Sequence, residues 1–130
     1  MKKACLFTIL LLLFLVACQS EQEKLQKRVE EYWQLRLKRD LAQAYNYEYP
    51  VLRKKINLKT YIASRSNPLA RYLKAGVLDI KFPQKDLAEV RMKFEIEVKP
   101  LDALNSFKTK FERTEKWVKI KGEWYHVPAK

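Results

Sequence analysis

The protein has 130 residues, of which 48% are hydrophobic and only two are glycine. This composition fits one compact domain and excludes collagen, coiled-coil and multidomain architectures. With 27 lysines and arginines against 15 aspartates and glutamates, the formal net charge of +12 indicates anionic surroundings or an anionic partner. Charge alone does not choose among lipid headgroups, acidic glycans, nucleic acid and acidic proteins.

The chain begins with a segment typical of a secretory signal peptide. Lys2 and Lys3 precede an uncharged, mostly apolar run over residues 4–17. As a helix this run reaches only about 21 Å, whereas the hydrocarbon core of a bilayer is roughly 30 Å thick. A permanent transmembrane helix is therefore the weaker interpretation.

The end of the apolar run, Leu15-Val16-Ala17-Cys18, resembles the lipobox of bacterial lipoproteins. The resemblance implies that residues 1–17 are removed as a signal peptide. It also implies that Cys18 carries a diacylglyceryl thioether, usually with a third acyl chain on the new amine. Because each buried methylene contributes about 0.8 kcal/mol, such chains hold a protein on a membrane essentially permanently. The alternative is an ordinary secreted precursor that is cleaved nearby.

Cysteine use and the residue after the lipobox refine this expectation. Cys5 leaves with the signal peptide and Cys18 is consumed by lipid, so the mature chain has no cysteine for a disulfide or a metal site. Processing removes two lysines and no acid, which leaves 25 basic and 15 acidic side chains, a formal charge of +10. Gln19 is not the aspartate that usually retains a lipoprotein at the inner membrane. The expected location is the periplasmic side of a Gram-negative outer membrane, and the surface of a Gram-positive cell is the alternative.

After a short tether over residues 18–21, residues 22–130 are predicted to form a single α+β domain that begins with helices. Apolar residues at three- and four-residue spacing predict an amphipathic helix between Gln22 and Arg39. Asp40 is predicted to cap a second, brief helix and Asn57 a third. The apolar positions of the first helix are Leu25, Val29, Tyr32, Trp33 and Leu37.

The second half of the chain changes to a period of two, which is typical of strands. A first strand is predicted over residues 78–82, and apolar and charged residues alternate without exception over residues 88–98. Such alternation predicts one face packed on the core and one face in water. The inward residues are expected to include Val90, Met92, Phe94, Ile96 and Val98.

Two more strands are predicted to complete the sheet. In the third strand the apolar residues occupy odd positions up to Phe111 but even positions from Val118, which predicts a β-bulge over residues 113–116. Lys121 and Gly122 then suit a tight hairpin turn before a short last strand.

Residues 32–50 together with residues 115–125 look like the nuclear transport factor 2-like superfamily. The similarity consists of a tryptophan helix, an acid-capped second helix that ends in aromatic residues and Pro50, and a terminal Trp-turn-Trp-Tyr hairpin. It implies N-terminal helices packed in a curved antiparallel sheet, a cone whose open end often holds a pocket. Members include isomerases, dehydratases, binding proteins and secretion-system components. Enzymatic members place carboxylates on the inner face, and the apolar alternation over residues 88–98 departs from that pattern.

A small apolar molecule in such a pocket would be contacted by Arg36, Tyr45 and Tyr49. Arg36 lies within the apolar stripe of the first helix, where it either contacts a ligand or reaches solvent or a carboxylate. Tyrosine rings at the cone mouth can stack on a ligand while their hydroxyls orient it. Packing in the core is the alternative for the tyrosines.

Arg53, Lys54 and Lys55 form the densest basic cluster. With Lys59, Arg65 and Arg71 nearby, they are the candidate patch for headgroups, glycan phosphate or an acidic partner. A solvated surface is the alternative. His126 is the only histidine, and it is interpreted as an exposed or hydrogen-bonded bystander. No catalytic residue, metal site or cofactor is predicted, because no phosphate loop, nucleophile elbow or zinc motif is present.

The sequence therefore predicts a membrane-anchored envelope lipoprotein. It is expected to be a non-enzymatic binding or accessory module, attached to the lipid membrane through acylated Cys18 and bound to an envelope protein or anionic polymer, with no nucleic-acid partner. One alternative is a small apolar ligand binder or an isomerase-like enzyme. The other is a component of a secretion or assembly complex.

Overall fold

The structure, a computed structural model, describes residues 20–129. The predicted signal peptide over residues 1–17 and the lipid-bearing Cys18 lie outside the described residues. The helices are α1 (Glu21–Leu37), α2 (Leu41–Ala44), a 3-10 turn (Tyr45–Tyr47), α3 (Pro50–Lys55) and α4 (Leu58–Arg65). The strands are β1 (Ala70–Gln84), β2 (Leu87–Val98), β3 (Phe107–Ile120) and β4 (Glu123–Val127).

The predicted helices and their caps are confirmed. α1 begins where the hydroxyl of Ser20 accepts the amide of Glu23 at 3.2 Å. Asp40 caps α2 and Asn57 caps α4, each accepting the backbone amide three residues later. Of the predicted apolar positions of α1, four are buried, namely Leu25, Val29, Tyr32 and Trp33, and Leu37 is half-buried.

The four strands form an antiparallel meander in the order β1-β2-β3-β4. The long predicted strand is confirmed as β2, and its inward residues Ala88, Val90, Met92 and Phe94 are buried. Ile96 and Val98 continue the same face but are half-buried, because the strand runs past the end of the core.

The predicted bulge in β3 is wrong. β2 and β3 pair without interruption from Leu87 opposite Val118 to Val98 opposite Phe107. The register shifts lie instead in β1, where they leave Leu78 exposed on a strand that begins well before the predicted residue 78. The odd positions of β3 keep facing inward through residue 117, and two of them carry Arg113 and Glu115. Because these two inward residues are charged, the apolar residues of β3 follow the pattern that a change of register would also produce.

The predicted nuclear transport factor 2-like cone, with N-terminal helices packed in a curved antiparallel sheet, is also wrong. In the described part of the chain, α1 is the helix that packs across the sheet, mainly against β1. The short helix α2 packs against α1 and α4 instead of the sheet. The packing of helices on the sheet is therefore only partial, and the four strands form a simple meander.

Aromatic side chains fill the space between α1 and the sheet. The ring of Trp33 lies 4.6 Å from Phe94 and 5.0 Å from Tyr72, centre to centre. The rings of Tyr32 and Trp117 meet edge to face, with their centres 5.6 Å apart. Among residues 20–129, no helix is long and apolar enough to cross a membrane.

Candidate functional site: a buried polar network around Glu48

Glu48 lies where the chain leaves the helical segment and meets the last strand. It forms an isolated parallel bridge with His126, and the amide of Tyr49 donates to the His126 carbonyl at 2.8 Å. The segment therefore runs along the outer edge of β4. This pairing turns the side chain of Glu48 into the core, where its exposed fraction is 0%.

Three donors hold the Glu48 carboxylate. The hydroxyls of Tyr32 and Tyr61 donate to Oε1 at 2.8 and 2.9 Å, and Nδ1 of His126 lies 2.9 Å from Oε2. The donors come from α1, α4 and β4, so one side chain joins two helices to the last strand. A buried carboxylate with three partners is well satisfied in hydrogen bonding.

The charge states of the network follow from burial and these contacts. Burial raises the pKa of Glu48, but the hydrogen bonds from His126, Tyr32 and Tyr61 outweigh it, so the pKa lies below its ordinary value. Burial, with the charge of Glu48, raises the pKa of Tyr61 to about 12, and burial raises that of Tyr32 well above 10.0. At neutral pH both tyrosines are protonated donors to an ionised carboxylate.

A second buried carboxylate, Glu115, lies on the other side of His126. It accepts Nε1–H of Trp33 at 3.1 Å and the guanidinium of Arg113 at 2.9 Å. Nε2 of His126 lies 3.8 Å from the same carboxylate. The imidazole ring is therefore placed between two carboxylates, and the network extends from the helices into β3.

The chemistry open to this network is mainly structural. Glu48, Tyr32 and Tyr61 have 0% of their surface exposed and His126 has 7%, so a substrate has no direct path to the carboxylate of Glu48. In the described part of the chain, no group of three or more His, Cys, Asp or Glu residues is arranged to hold a metal ion.

Sequence reasoning did not find this network. His126 was interpreted as a bystander, Glu48 was not singled out, and the inward position of Glu115 was hidden by the predicted bulge. One signal was available. Glu115 lies an even number of positions from Phe111 and Trp117, so it is on the same face of the strand as these two inward residues. The contact between Glu48 and His126 spans 78 positions, and no local pattern reports such a contact.

Arg36, Tyr45 and Tyr49, the three residues predicted to contact a ligand, do not line one common cavity. Arg36 donates from Nη1 to the hydroxyl of Tyr32 at 2.7 Å and lines a cleft at the end of α1. The hydroxyl of Tyr45 donates to two backbone carbonyls, those of Arg53 and Ile56, at 3.0 and 2.7 Å. Tyr49 is half-buried beside β4, and neither tyrosine lines the cleft that contains Arg36.

The predicted basic patch is divided by the packing of α3. Lys54 and Lys55 are exposed in the last turn of the helix, where positive charge is favourable to the helix dipole. Arg53 is half-buried, and its guanidinium carbon lies 5.8 Å from the ring centre of Tyr125. Arg53 therefore packs against β4, and the two lysines are the freely accessible part of the predicted patch.

Comparison with known proteins gives a likeness of fold. No family model and no curated protein matches the chain. The solution structure of a SEC-C motif-containing protein from Rhodopseudomonas palustris is similar, with a TM-score of 0.60 and 12% sequence identity. The match covers 78% of this chain and 73% of that chain. At this identity the likeness concerns the fold alone, and it gives no support to the expected nuclear transport factor 2-like cone.

The network predicts a specific loss of stability in acid. Because the pKa of Glu48 is lower in the folded than in the unfolded chain, its ionised form stabilises the fold above the unfolded value, about 4.3. This contribution is lost as the pH falls through the lower, folded-state value. We expect the free energy of unfolding to fall more steeply below about pH 4.5 in the wild type than in Glu48→Gln. Urea unfolding at a series of pH values measures both slopes, and parallel curves would contradict the prediction.

Proposed function

We propose that the protein is a lipid-anchored, non-enzymatic module of the bacterial envelope that holds an anionic envelope component at its cationic helical end. The observation that carries the proposal is the position of the surplus positive charge. Between Arg36 and Arg71 the chain has nine basic and only two acidic residues. One acid, Glu48, is buried in the network, and the other, Asp40, caps α2. The surplus is therefore not neutralised within this segment.

The outer face of the sheet differs from the helical end. Opposite charges face each other across β2 and β3, as in Glu95 opposite Lys110 and Glu97 opposite Lys108. Lys93 is likewise opposite Glu112. Cross-strand pairs of opposite charge are mildly stabilising and leave little net charge on that face. The uncompensated charge is thus concentrated on the helical side of the described chain.

The direction of α1 supports a separation between the proposed anchor and the basic residues at the far end of this helix. Ser20, the N-cap of the helix, is two positions after Cys18, and the first helical residue, Glu21, forms an ion pair with Lys119 at 2.9 Å beside the β3–β4 hairpin. Arg36 is at the other end of α1, about 24 Å further along at about 1.5 Å per residue. A chain anchored by Cys18 would present Arg36 and Arg39, at the far end of α1, away from the attachment point.

Fractionation of bacterial cells tests both the lipid anchor and the binding of an anionic envelope component. One chain is the complete sequence, and the other has residues 1–19 replaced by a cleavable secretory leader without cysteine. We expect the complete chain to sediment with membranes at low salt and at about 0.5 M salt, because acyl chains are insensitive to screening. The chain with the replaced leader is expected to sediment at low salt only, because screening weakens its attraction to anionic material.

The matched control is the complete chain with Cys18→Ser, whose N-terminal peptide should lack the mass of a diacylglyceryl group. If the chain with the replaced leader stayed in the membrane fraction at high salt, residues 1–19 would not be the anchor. If it remained in the supernatant even at low salt, the binding of an anionic component would be wrong.

A further inference from the structure

A cleft of about 290 Å³ opens where the end of α1 meets the end of α4 and the start of β1. This volume suits a small ligand or one polar headgroup. Four arginines and one carboxylate are the charged residues of its lining. These five residues are Arg36, Arg39, Asp40, Arg65 and Arg71.

Arg36 is held rigidly at the inner wall of the cleft. Its Nη1 donates to the hydroxyl of Tyr32 at 2.7 Å, and its guanidinium carbon lies 5.0 Å from the ring centre of Trp33. Among the described residues, Tyr32 is its one hydrogen-bond acceptor. The guanidinium carries five N–H donors in a fixed fork, so donors remain for a ligand.

Arg39 stands at the rim in a strained conformation. Its φ is 61°, in the left-handed region, at the end of α1. Its amide donates to the Arg36 carbonyl at 3.1 Å, and the amide of Asp40 donates to the Leu35 carbonyl at 2.9 Å, which is the Schellman pattern. Glycine usually occupies this position because a side chain is unfavourable there. A long cation at a position that favours glycine, beside a cleft, points to a role in binding.

The remaining charges leave the cleft strongly positive. Arg65 lies in the last turn of α4 with its guanidinium carbon 5.4 Å from the Tyr61 ring centre, and no carboxylate of residues 20–129 lies within 4.0 Å of it. Arg71 is paired with Glu97 at 2.9 Å. The Oδ1 of Asp40 accepts the Gln43 amide that caps α2. Three of the four guanidinium groups therefore have no carboxylate within 4.0 Å in the described chain, and that of Arg36 is linked to Glu48 only through the Tyr32 hydroxyl.

We propose that this cleft binds the terminal phosphate of a phosphate monoester, carried by a soluble molecule or by a lipid headgroup. The inference rests on the proposed function, because it names the anion that the cationic end holds. A phosphate monoester brings up to two negative charges and three acceptor oxygens, which guanidinium forks engage through pairs of N–H bonds. A single carboxylate offers one charge and two oxygens, so it satisfies fewer of these donors.

The test uses the chain with the replaced leader, purified without detergent so that no acyl chain binds it to vesicles, with two arms for the two sources. In one arm glycerol 3-phosphate is titrated by calorimetry, with glycerate as the carboxylate counterpart. In the other arm the chain is sedimented with phosphatidylcholine vesicles, with and without phosphatidic acid. We expect Arg39→Gly and Arg65→Gln each to weaken binding about tenfold. The matched control, Arg91→Gln on the outer sheet face, is expected to change binding less than about twofold.

Arg39→Gly separates binding from folding. Glycine relieves the strain at the left-handed position, so the urea midpoint of this variant is expected to rise while its affinity for phosphate falls. A variant that bound poorly because it was unfolded would show the opposite change in midpoint.

The outcomes distinguish the sources and the proposals. Binding of glycerol 3-phosphate that depends on Arg39 and Arg65 supports a soluble source, and binding confined to phosphatidic acid with the same dependence supports a lipid source. The cleft assignment is overturned if glycerate binds as tightly, if neither arm shows binding, or if both cleft variants behave as the wild type. Low-salt association with the envelope that persists in the cleft variants would leave the proposed function standing while the assignment fails.

Discussion

Glu48→Ala is expected to lower the free energy of unfolding by about 3–5 kcal/mol, because removal of one buried charged partner leaves the others unsatisfied. The carboxylate accepts from Tyr32 and Tyr61 and contacts His126, all within 2.9 Å. In the variant these three groups remain buried beside a cavity. Urea unfolding followed by tryptophan fluorescence measures the loss, and an unchanged slope would show that the fold itself is retained.

Two further variants bracket this effect. Glu48→Gln keeps the size of the side chain and an oxygen for the tyrosines, but its amide nitrogen cannot accept the Nδ1–H of His126, so an intermediate loss of about 1–3 kcal/mol is expected. Glu112→Gln removes an exposed carboxylate paired with Arg91 and should change stability by less than about 1 kcal/mol. If Glu48→Ala were no worse than Glu112→Gln, the network would not stabilise the fold.

Trp33→Ala is expected to cost about 3–5 kcal/mol, as is usual for a large aromatic side chain removed from a packed core. Its side chain is 2% exposed and packs on Phe94 and Tyr72. The substitution also removes the N–H that donates to Glu115 at 3.1 Å. Chemical unfolding measures the total cost of the lost packing and the lost hydrogen bond.

A matched pair of tryptophans separates these two contributions. Trp117 is equally buried, but its Nε1 has no hydrogen-bond partner among the described residues. Trp33→Phe and Trp117→Phe remove a similar volume, and only the first takes from Glu115 one of its two donors, the other being Arg113. We expect Trp33→Phe to be less stable than Trp117→Phe by about 1.5–3 kcal/mol, the contribution of a hydrogen bond to a charged group. Equal losses would mean that the bond to Glu115 adds nothing.

Elements with local signals were predictable from the sequence. The period of α1, the caps at Asp40 and Asn57, and the alternation in β2 are each set by residues a few positions apart, and the structure confirms them. The turn at Lys121 and Gly122 is of the same kind, since both residues have positive φ.

The failures concern long-range packing and polar residues that face inward. Arg113 and Glu115 occupy core-facing positions of β3, so a hydrophobic pattern could only be explained by a bulge that does not exist. The predicted fold class is wrong for a related reason. A tryptophan helix and a terminal hairpin are local features, and they do not determine how many helices cover the sheet. The arginine cleft joins three distant segments. The sequence predicted Arg36 as a ligand contact and placed Arg65 and Arg71 only near the basic patch, because no local pattern shows that these three residues line one cleft.

The pairing of Glu48 and Tyr49 with β4 has a consequence for biosynthesis. While the ribosome has produced the chain only as far as Ile120, Glu48 is without its imidazole partner and Tyr49 is without its carbonyl acceptor. Closure of the core is thereby postponed until nearly the whole described sequence has emerged. Under the proposed envelope location, such a delay would keep the nascent chain competent for passage through a translocation channel.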